Sequence, residues 1–472
     1  MIEKFPDNYL DDSKINSHNS NSNWQDLSSI PFSQKETLAP HDNILEAISS
    51  TDLTVYERLN ATNDKAAKEE FLSNPNLTRP NNEYGNLDQN EVLKNLAALD
   101  RIDEEISKAD LSRQQKTFFN ILSTDCRRKN DFLLANIQYN STTTPEEKAI
   151  ASKHHHQANE ALYGKADQSV FNVLLQEKLA KINPSTLDPE NRKKYDQLMV
   201  DLGPLEDIKA TRFTPKPETV SRFAELTKDF FENFLKHIPE GKQEFAGADM
   251  AQIVNQILEQ EFSDEPDPQS TAYKAVVSAD ASNASVNHET RQIIFPESKT
   301  YSRAKAAGII VHELGVHAMR AILYTDQKMS AFSTGFPDNE TWDEGIAKCV
   351  EQAIDGKYTD SGIDHYINIG LASFKNKNFR EVYEIQHTIN DLLNKPSKTL
   401  INSVQRCFRG TGELPNNKDL AYYNGATKVW QYIENHLDDP NLFDNLFLVG
   451  KLDITNPEQE AISYEKRVNN ID

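Results

Sequence analysis

The chain has 472 residues, and its 73 Asp and Glu outnumber 51 Lys and Arg to give a formal net charge of −22 at pH 7. Nucleic acids and anionic membranes attract basic surfaces, so we exclude both as partners. No apolar run approaches the roughly 20 residues of a transmembrane helix. Three scattered cysteines, Cys126, Cys349 and Cys407, rule out a disulfide framework or a four-cysteine zinc site. We expect a cytoplasmic protein without a Sec-type signal peptide, while export by another route stays open.

Three regions follow from the composition along the chain. Residues 1–41 are rich in Asn, Ser and Asp and predict a flexible polar tail. From residue 42 onward apolar side chains recur every three or four positions, which predicts an N-terminal helical region over residues 42–200. Residues 201–472 form the predicted catalytic region. The histidines His154, His155 and His156 lie in a polar stretch, and we expect them to be solvated.

The catalytic region predicts a mainly α (α+β) fold. An amphipathic helix is expected over residues 220–237. Segments 271–278 and 284–296 are richer in β-branched residues and each predicts a strand of a small edge β-sheet, with His288 at the surface. Further helices are expected over residues 303–324, 339–354, 379–393 and 419–436.

The strongest chemical signal is the segment VHELGVHAMR at residues 311–320. It places His312, Glu313 and His317 in an apolar helical frame. Imidazoles are good zinc ligands, and a neighbouring glutamate can act as base on an attacking water. The histidines are five positions apart, whereas the familiar H-E-x-x-H motif needs four.

That spacing predicts a distorted helix. At about 100° per residue, a position five residues on lies roughly 140° around a regular helix, so the two imidazoles could not share a metal. A π-type turn removes the conflict, and Gly315 between the histidines weakens the regular helix. We therefore predict a π distortion at residues 313–317.

A catalytic zinc usually takes three protein ligands, so a third is needed. The segment TWDEGIAKCVEQAI at residues 341–354 predicts a helix with several acids. Glu344 is the candidate ligand, with Asp343 and Glu351 as competitors. Glu344 and Glu351 are seven residues apart and share a helix face, so one can bind the metal while the other orients a histidine.

These motifs together resemble those of a known family. HELGVH followed by DEGIA is similar to the HExxxH and QEGLA motifs of a family that includes the microtubule-associated tyrosine carboxypeptidases. Other segments resemble family landmarks in the same order: ALYG at residues 161–164, QKMSAFSTG at 327–335, FRG at 408–410 and KDLAYYNG at 418–425. The resemblance spans roughly residues 42–448.

The resemblance implies a helical, zincin-like metallopeptidase that removes a tyrosine-like or aromatic residue from the C-terminal tails of proteins or peptides. It implies Zn²⁺ held by His312, His317 and Glu344, with Glu313 as catalytic base. Asp343 stands where the family usually has Gln. Eukaryotic members act on acidic tubulin tails, which a chain of charge −22 would meet slowly, so tubulin is a doubtful partner and the substrate stays open.

A carboxypeptidase needs two further functions. A donor must stabilise the developing oxyanion, and Tyr422 is our candidate, with Tyr423 as alternative. A cation must hold the terminal carboxylate of the substrate. For this role we select Arg409, Lys418 and Arg320 as candidates.

Two other functions remain open at this stage. Dipeptidyl-peptidase III enzymes also use an HExxxH helix, but they cut from the N-terminus and so must bind an ammonium group with acids. A non-catalytic scaffold with a metal site is the second alternative. Peptides blocked at one end separate the two enzyme classes, and loss of activity in Glu313→Gln separates both from the scaffold.

Overall fold

The computed structural model describes residues 42–85, 87–205, 212–262, 273–281, 283–288, 290–322, 336, 339–457 and 459. The predicted tail, residues 1–41, and the QKMSAFSTG segment, residues 327–335, lie outside the described residues. The fold is mainly helical with small sheets, which confirms the predicted class. None of the described helices combines the length and apolar character needed to cross a membrane.

The N-terminal region is a set of helices with strong start signals. Ser112 caps the longest of them through a reciprocal pair of hydrogen bonds with Gln115. Thr144 caps the next, which has Pro145 in its first turn. The helices of this region are α1 Asp42–Ser49, α2 Val55–Arg58, α3 Asp64–Ser73, α4 Gln89–Lys108, α5 Arg113–Ser141, α6 Pro145–Tyr163, α7 Gln168–Leu179 and α8 Pro189–Leu202.

Two small sheets lie beside the helical segment at residues 303–318. In the first, β1 (Glu244–Ala246) pairs antiparallel with β5 (Thr300–Ser302). In the second, β4 (Gln292–Pro296) is central, with β2 (Lys274–Ser278) parallel to it on one side and β3 (Ser285–Asn287) antiparallel on the other.

One strand prediction needs correction. The segment 284–296 forms two strands, β3 and β4, because the chain reverses between them. Arg291, directly before β4, has a positive φ of 51°, which lies outside the β region, so no strand runs through this position. Of the segment 271–278, residues 271 and 272 lie outside the described part of the chain, and β2 covers the remainder from Lys274.

The predicted helices over residues 339–354, 379–393 and 419–436 are confirmed, whereas the described helices over 247–261, 363–374, 400–407 and 442–447 were not predicted. The helix expected over 303–324 is divided into three segments up to Ile322, and residues 323 and 324 lie outside the described part of the chain. The helix expected over residues 220–237 is divided at Phe231 into α9 and α10. The helices are α9 Pro217–Phe230, α10 Glu232–Leu235, α11 Gly247–Glu261, α12 Arg303–Ile310, α13 Met319–Ile322, α14 Asn339–Asp355, α15 Ile363–Phe374, α16 Phe379–Leu392, α17 Leu400–Cys407, α18 Leu420–His436 and α19 Leu442–Phe447.

Part of the hydrophobic core extends across the predicted boundary at residues 200/201. One core lies within the catalytic region, around Phe231, Leu314 and Trp430. A second combines Phe171 and Leu174 of α7 with Phe379 of α16 and other residues of the catalytic region. The N-terminal helices are therefore packed directly against the catalytic region.

The three adjacent histidines are not equally solvated. His155 is completely buried on α6 and lies beside the ring of Phe132, with centroids 5.2 Å apart. Neither ring nitrogen of His155 has a hydrogen-bond partner among the described residues. The expectation of three solvated histidines is wrong for His155, because α6 turns this position into the interior.

Candidate active site

A π-helix brings the two motif histidines together. It covers Val311–Ala318 between α12 and α13, and the ring centroids of His312 and His317 are 5.0 Å apart. This confirms the predicted distortion. Gly315 in this segment lies against the buried ring of Phe231, and a Cβ there would come within 2.6 Å of Cε1 of that ring. Packing therefore requires glycine at this position.

The carboxylate of Glu344 faces both imidazoles from α14. Its Oε2 lies 3.7 Å from Nε2 of His312 and 3.9 Å from Nε2 of His317. A tetrahedral zinc with bonds of roughly 2.0–2.1 Å separates its ligand atoms by about 3.4 Å. The Oε2 atom is buried and has no hydrogen-bond partner among the described residues. A buried, unpartnered anionic oxygen facing two imidazole nitrogens fits a divalent cation such as zinc.

Two further acids fix the orientation of the imidazoles. Asp343 Oδ2 lies 2.6 Å from Nδ1 of His317, and Glu351 Oε2 lies 3.2 Å from Nδ1 of His312. A carboxylate at Nδ1 keeps the ring proton there and leaves the Nε2 lone pair free, which is the arrangement of metal-binding histidines. The two acids that competed with Glu344 on sequence grounds thus orient the histidines instead.

Arg320 belongs to the support of this site and not to the cavity wall. It is completely buried, and its Nη1 donates to Oδ1 of Asp343. Its Nη2 donates to the carbonyl oxygens of Gly450 at 2.5 Å and Leu452 at 3.2 Å. On the other side, Nζ of Lys451 donates to Oδ2 of Asp343 at 3.2 Å. The assignment of Arg320 to substrate binding is corrected, because its guanidinium is enclosed by these partners.

The charges around the site favour ionised carboxylates. Burial by itself raises the pKa of Glu344, but His312 and His317 outweigh it and lower that pKa. Burial also raises the pKa of Asp343, yet Lys451 and the other neighbouring cations hold it well below its usual range. Burial lowers the pKa of His317, but the Asp343 carboxylate outweighs it and raises the pKa. The carboxylates therefore attract positive charge to the centre of the cluster.

Glu313 lies beside the three donor atoms. One of its oxygens, together with a ring nitrogen of His312 and one of His317, forms a group whose members lie within 4.8 Å of one another. Its Oε1 is 4.0 Å from Nε2 of His312. This position suits a base that takes a proton from a water molecule held at the same centre.

Tyr422 faces the cavity and Tyr423 does not. The hydroxyl oxygen of Tyr422 accepts a hydrogen bond of 3.0 Å from Nη2 of Arg406, which Asp419 holds through two 2.7 Å contacts. Burial and then the nearby Glu344 carboxylate raise the pKa of Tyr422, so the phenol stays protonated. Tyr423 is buried against Tyr366, with ring centroids 5.3 Å apart. Of the two tyrosines, Tyr422 is therefore the one whose hydroxyl can meet a bound substrate.

Two glycines allow the helices of Glu344 and Tyr422 to touch. A Cβ on Gly345 of α14 would come within 2.4 Å of the carbonyl oxygen of Gly425 on α18. A Cβ on Gly425 would come within 2.1 Å of the carbonyl oxygen of Thr341. The backbones are thus in direct contact, which fixes the candidate ligand relative to the candidate oxyanion donor.

The other two substrate candidates line the cavity. Arg409 and Lys418 lie at the two ends of the segment between α17 and α18. Lys418 forms an ion pair with Glu340, and its Nζ is 5.9 Å from the ring centre of Tyr163 on α6. Both cations therefore face the space that a substrate would enter.

Sequence reasoning misplaced His288 and missed Lys451. His288 is only partly exposed, on the wall of the cavity: its Nδ1 lies 2.7 Å from the hydroxyl of Tyr273, and its Nε2 lies 2.9 Å from Nζ of Lys451. Lys451 then links His288 to Asp343. No motif surrounds Lys451 in the sequence. Arg406 was also missed, although it lies three residues before Arg409 and so one helical turn away.

The cavity at this site is large and is lined by both acidic and basic side chains. Its volume is about 2320 Å³, and residues of both the N-terminal and catalytic regions line it. As many Lys and Arg as Asp and Glu line its wall, in contrast to the net charge of −22 for the whole chain. The excess negative charge of the protein therefore lies away from the cavity.

Comparison with known proteins places this site in a family. No curated protein and no solved structure matches the chain. The family model described as microtubule-associated tyrosine carboxypeptidase matches residues 209–465, more than half of the chain. The π-helix, α14 and α18 lie inside this range, whereas the N-terminal region, including the ALYG landmark, lies outside it. Since the match contains the histidine pair, both glutamates and the cavity tyrosine, this chain belongs to the microtubule-associated tyrosine carboxypeptidase family.

Proposed function

We propose that this protein is a zinc-dependent carboxypeptidase that removes a single C-terminal residue, tyrosine or another aromatic, from protein or peptide tails. The observation that carries the proposal is the convergence of Nε2 of His312, Nε2 of His317 and Oε2 of Glu344, with each Nδ1 held by an acid. The family match to tyrosine carboxypeptidases supports the choice of reaction.

The residues around the donor atoms suggest a division of labour. A zinc ion bound by the three ligands would supply Lewis acidity and make water acidic enough to lose a proton near neutral pH. Glu313 accepts the proton of the attacking water and returns it to the leaving amine. Tyr422 donates a hydrogen bond from its hydroxyl to the oxyanion and keeps its proton, while Arg406 holds the hydroxyl in place.

Two cations that line the same cavity are candidates to hold the C-terminal end of the substrate. Arg409 and Lys418 are the proposed partners of the terminal carboxylate, because both line the cavity and Arg320 does not. A guanidinium can bind a carboxylate through two parallel hydrogen bonds, so Arg409 is the stronger candidate for the direct contact.

The substrate residues that precede the C-terminal one can bind along an edge strand. In the described part of its sheet, β3 is at the edge, and Ser285 and Val286 line the cavity. An extended peptide can add to such an edge through backbone hydrogen bonds, which makes binding tolerant of sequence.

The mixed charge of the cavity changes the expectation for acidic tails. The net charge of −22 slows the approach of an acidic partner at long range, but the wall itself carries no excess of acid. Acidic tails that end in tyrosine, including those of tubulin, are therefore the first substrates to test.

The deciding experiment is mass spectrometry of peptides that end in tyrosine, with either the N-terminus acetylated or the C-terminus amidated, together with elemental analysis for zinc. We expect the wild-type protein to contain zinc and to shorten the acetylated peptide by one residue, leaving the amidated one intact. The Glu313→Gln variant should keep zinc and lose the activity. Cleavage of the amidated peptide alone would instead favour a dipeptidyl-peptidase. Bound zinc without cleavage of either peptide would favour a non-catalytic scaffold.

A further inference from the structure

The segment that carries Arg409 and Lys418 is held from outside by the N-terminal region. This segment, residues 408–419, connects α17 to α18 and is called the carboxylate loop below. Nδ2 of Asn140 on α5 donates to the carbonyl oxygen of Gly410 at 2.8 Å. Nη1 of Arg79 donates to the carbonyl oxygen of Thr411 at 2.7 Å. Two side chains of the N-terminal region thus bind the backbone just after Arg409.

Asn159 of α6 holds the other half of the loop. Its Nδ2 donates to the carbonyl oxygen of Pro415 at 3.0 Å, and its Oδ1 accepts from the backbone N–H of Asn417 at 2.9 Å. The side chain of Asn159 is almost fully buried, at 1% exposure. One side-chain amide therefore satisfies a backbone acceptor and a backbone donor directly before Lys418. Because the site is buried, leaving these two groups without partners would cost more free energy than at the surface.

Two further contacts fasten the same loop. Nδ2 of Asn417 donates to the carbonyl oxygen of Gly164, at the end of α6. Glu413 forms ion pairs with Arg79 at 2.9 Å and with Lys148 at 3.0 Å. Hence the backbone of the loop and its acidic side chain both have partners in the N-terminal region.

We propose that the N-terminal helical region is a part of the substrate site, with Asn159 as a positioning residue that fixes the carboxylate loop and so sets how tightly Arg409 and Lys418 hold the terminal carboxylate. The proposal rests on the proposed function, and it extends the site to residues outside the matched range 209–465. The effect falls on substrate binding, because Asn159 contacts none of the metal donors.

The test compares Asn159→Ala with Asn130→Ala in the full chain. Asn130 is also a buried asparagine of the N-terminal region, but its Nδ2 donates to the carbonyl oxygens of Thr51 and Cys126 and its Oδ1 accepts from Nδ2 of Asn95, all outside the loop. The measurements are kcat and KM for a peptide ending in tyrosine, zinc affinity, and binding of the free-acid and amidated peptides to each variant in the Glu313→Gln background.

We expect Asn159→Ala to raise KM roughly tenfold, as for the loss of one or two buried hydrogen bonds, with kcat and zinc affinity little changed. Its preference for the free acid over the amide should fall by a similar factor. Asn130→Ala should keep KM and the preference. Asn140→Ala, at an exposed position, should have the same effects as Asn159→Ala but smaller ones. It replaces Asn159→Ala in the test if that variant does not fold.

Two results would count against the inference, and they are distinguishable. If Asn159→Ala and Asn140→Ala keep the wild-type KM and free-acid preference, the N-terminal region does not act through the carboxylate loop. If the wild-type protein itself shows neither cleavage nor a preference for the free acid, the proposed function fails and the inference fails with it.

Discussion

Asp343 and His317 are joined by a contact of 2.6 Å between Oδ2 and Nδ1, and the same carboxylate is shared by Arg320 and Lys451. A single buried acid thus orients a candidate zinc ligand and neutralises two buried cations. Both functions depend on its negative charge, which an amide of the same shape does not have.

We therefore expect Asp343→Asn to weaken zinc binding by about 10- to 100-fold and to lower the free energy of unfolding by roughly 3–5 kcal/mol, since two buried cations lose their counter-ion. Competition with a chromogenic chelator and urea denaturation measure the two effects. Asp355→Asn, at an exposed acid on the same helix, is the control. Unchanged zinc affinity in Asp343→Asn would show that Asp343 does not support the metal site.

Tyr422→Phe tests the oxyanion donor. Removing one such donor typically lowers kcat by about 10²- to 10³-fold, because the hydrogen bond forms fully only in the transition state. Zinc affinity should stay at the wild-type level. Tyr423→Phe is a matched control on the same helix, since that ring is buried against Tyr366. Steady-state kinetics on a peptide ending in tyrosine should separate the two variants; equal rates for both would remove Tyr422 from the mechanism.

Gly315→Ala tests the packing of the π-helix. The new methyl group would collide with the ring of Phe231, which is itself fully buried, and such overpacking costs about 1–3 kcal/mol. Phe231→Leu should relieve the collision, so the double variant should be more stable than the sum of the two single effects predicts. Denaturation of all four proteins gives the coupling energy. Strict additivity would mean that the clash is absorbed elsewhere.

His155 should make the protein sensitive to acid. Burial, reinforced by His156 and His154, lowers the pKa of His155 to about 3, whereas an unfolded histidine titrates near 6.5. The folded state then excludes a proton that the unfolded state binds, so stability is complete above about pH 6.5 and falls as the pH drops towards 3. The loss is about 1.4 kcal/mol per pH unit, or roughly 2 kcal/mol at pH 5.

Urea denaturation at pH 7.5 and pH 5.0 measures this effect. The free energy of unfolding should fall between pH 7.5 and pH 5.0 by about 2 kcal/mol less in His155→Phe than in the wild-type protein. His156→Gln, on the exposed side of the same helix, removes only the smaller contribution of the neighbouring ring, so most of the wild-type difference should remain. An unchanged difference in His155→Phe would mean that the ring is not kept neutral by burial.

The sequence was informative where chemistry and helix geometry constrain each other. The five-residue spacing of His312 and His317 is incompatible with a shared ligand on a regular helix, so the π distortion followed from angles alone. The position of Glu344 relative to Glu351 similarly predicted that one acid would orient a histidine. In both cases the prediction used only the spacing between near neighbours in the chain.

Contacts between distant parts of the chain escaped prediction. Lys451 reaches Asp343 across 108 positions, and nothing in local periodicity indicates such a partner. His155 was assigned to solvent by the polarity of its neighbours, but tertiary packing buries it, and His288, expected at the surface, contacts the distant Lys451. The division of segment 284–296 includes a positive φ at Arg291, a conformation that its side chain does not favour and that the sequence pattern did not indicate.

The glycine contact between α14 and α18 limits how this catalytic centre can be altered or transplanted. Neither Gly345 nor Gly425 tolerates even a methyl group without separating the two backbones. A designer who grafts the candidate metal ligands onto another scaffold would need to move both helices as one piece. A natural variant with alanine at either glycine should keep the side chains of Glu344 and Tyr422 but lose their alignment.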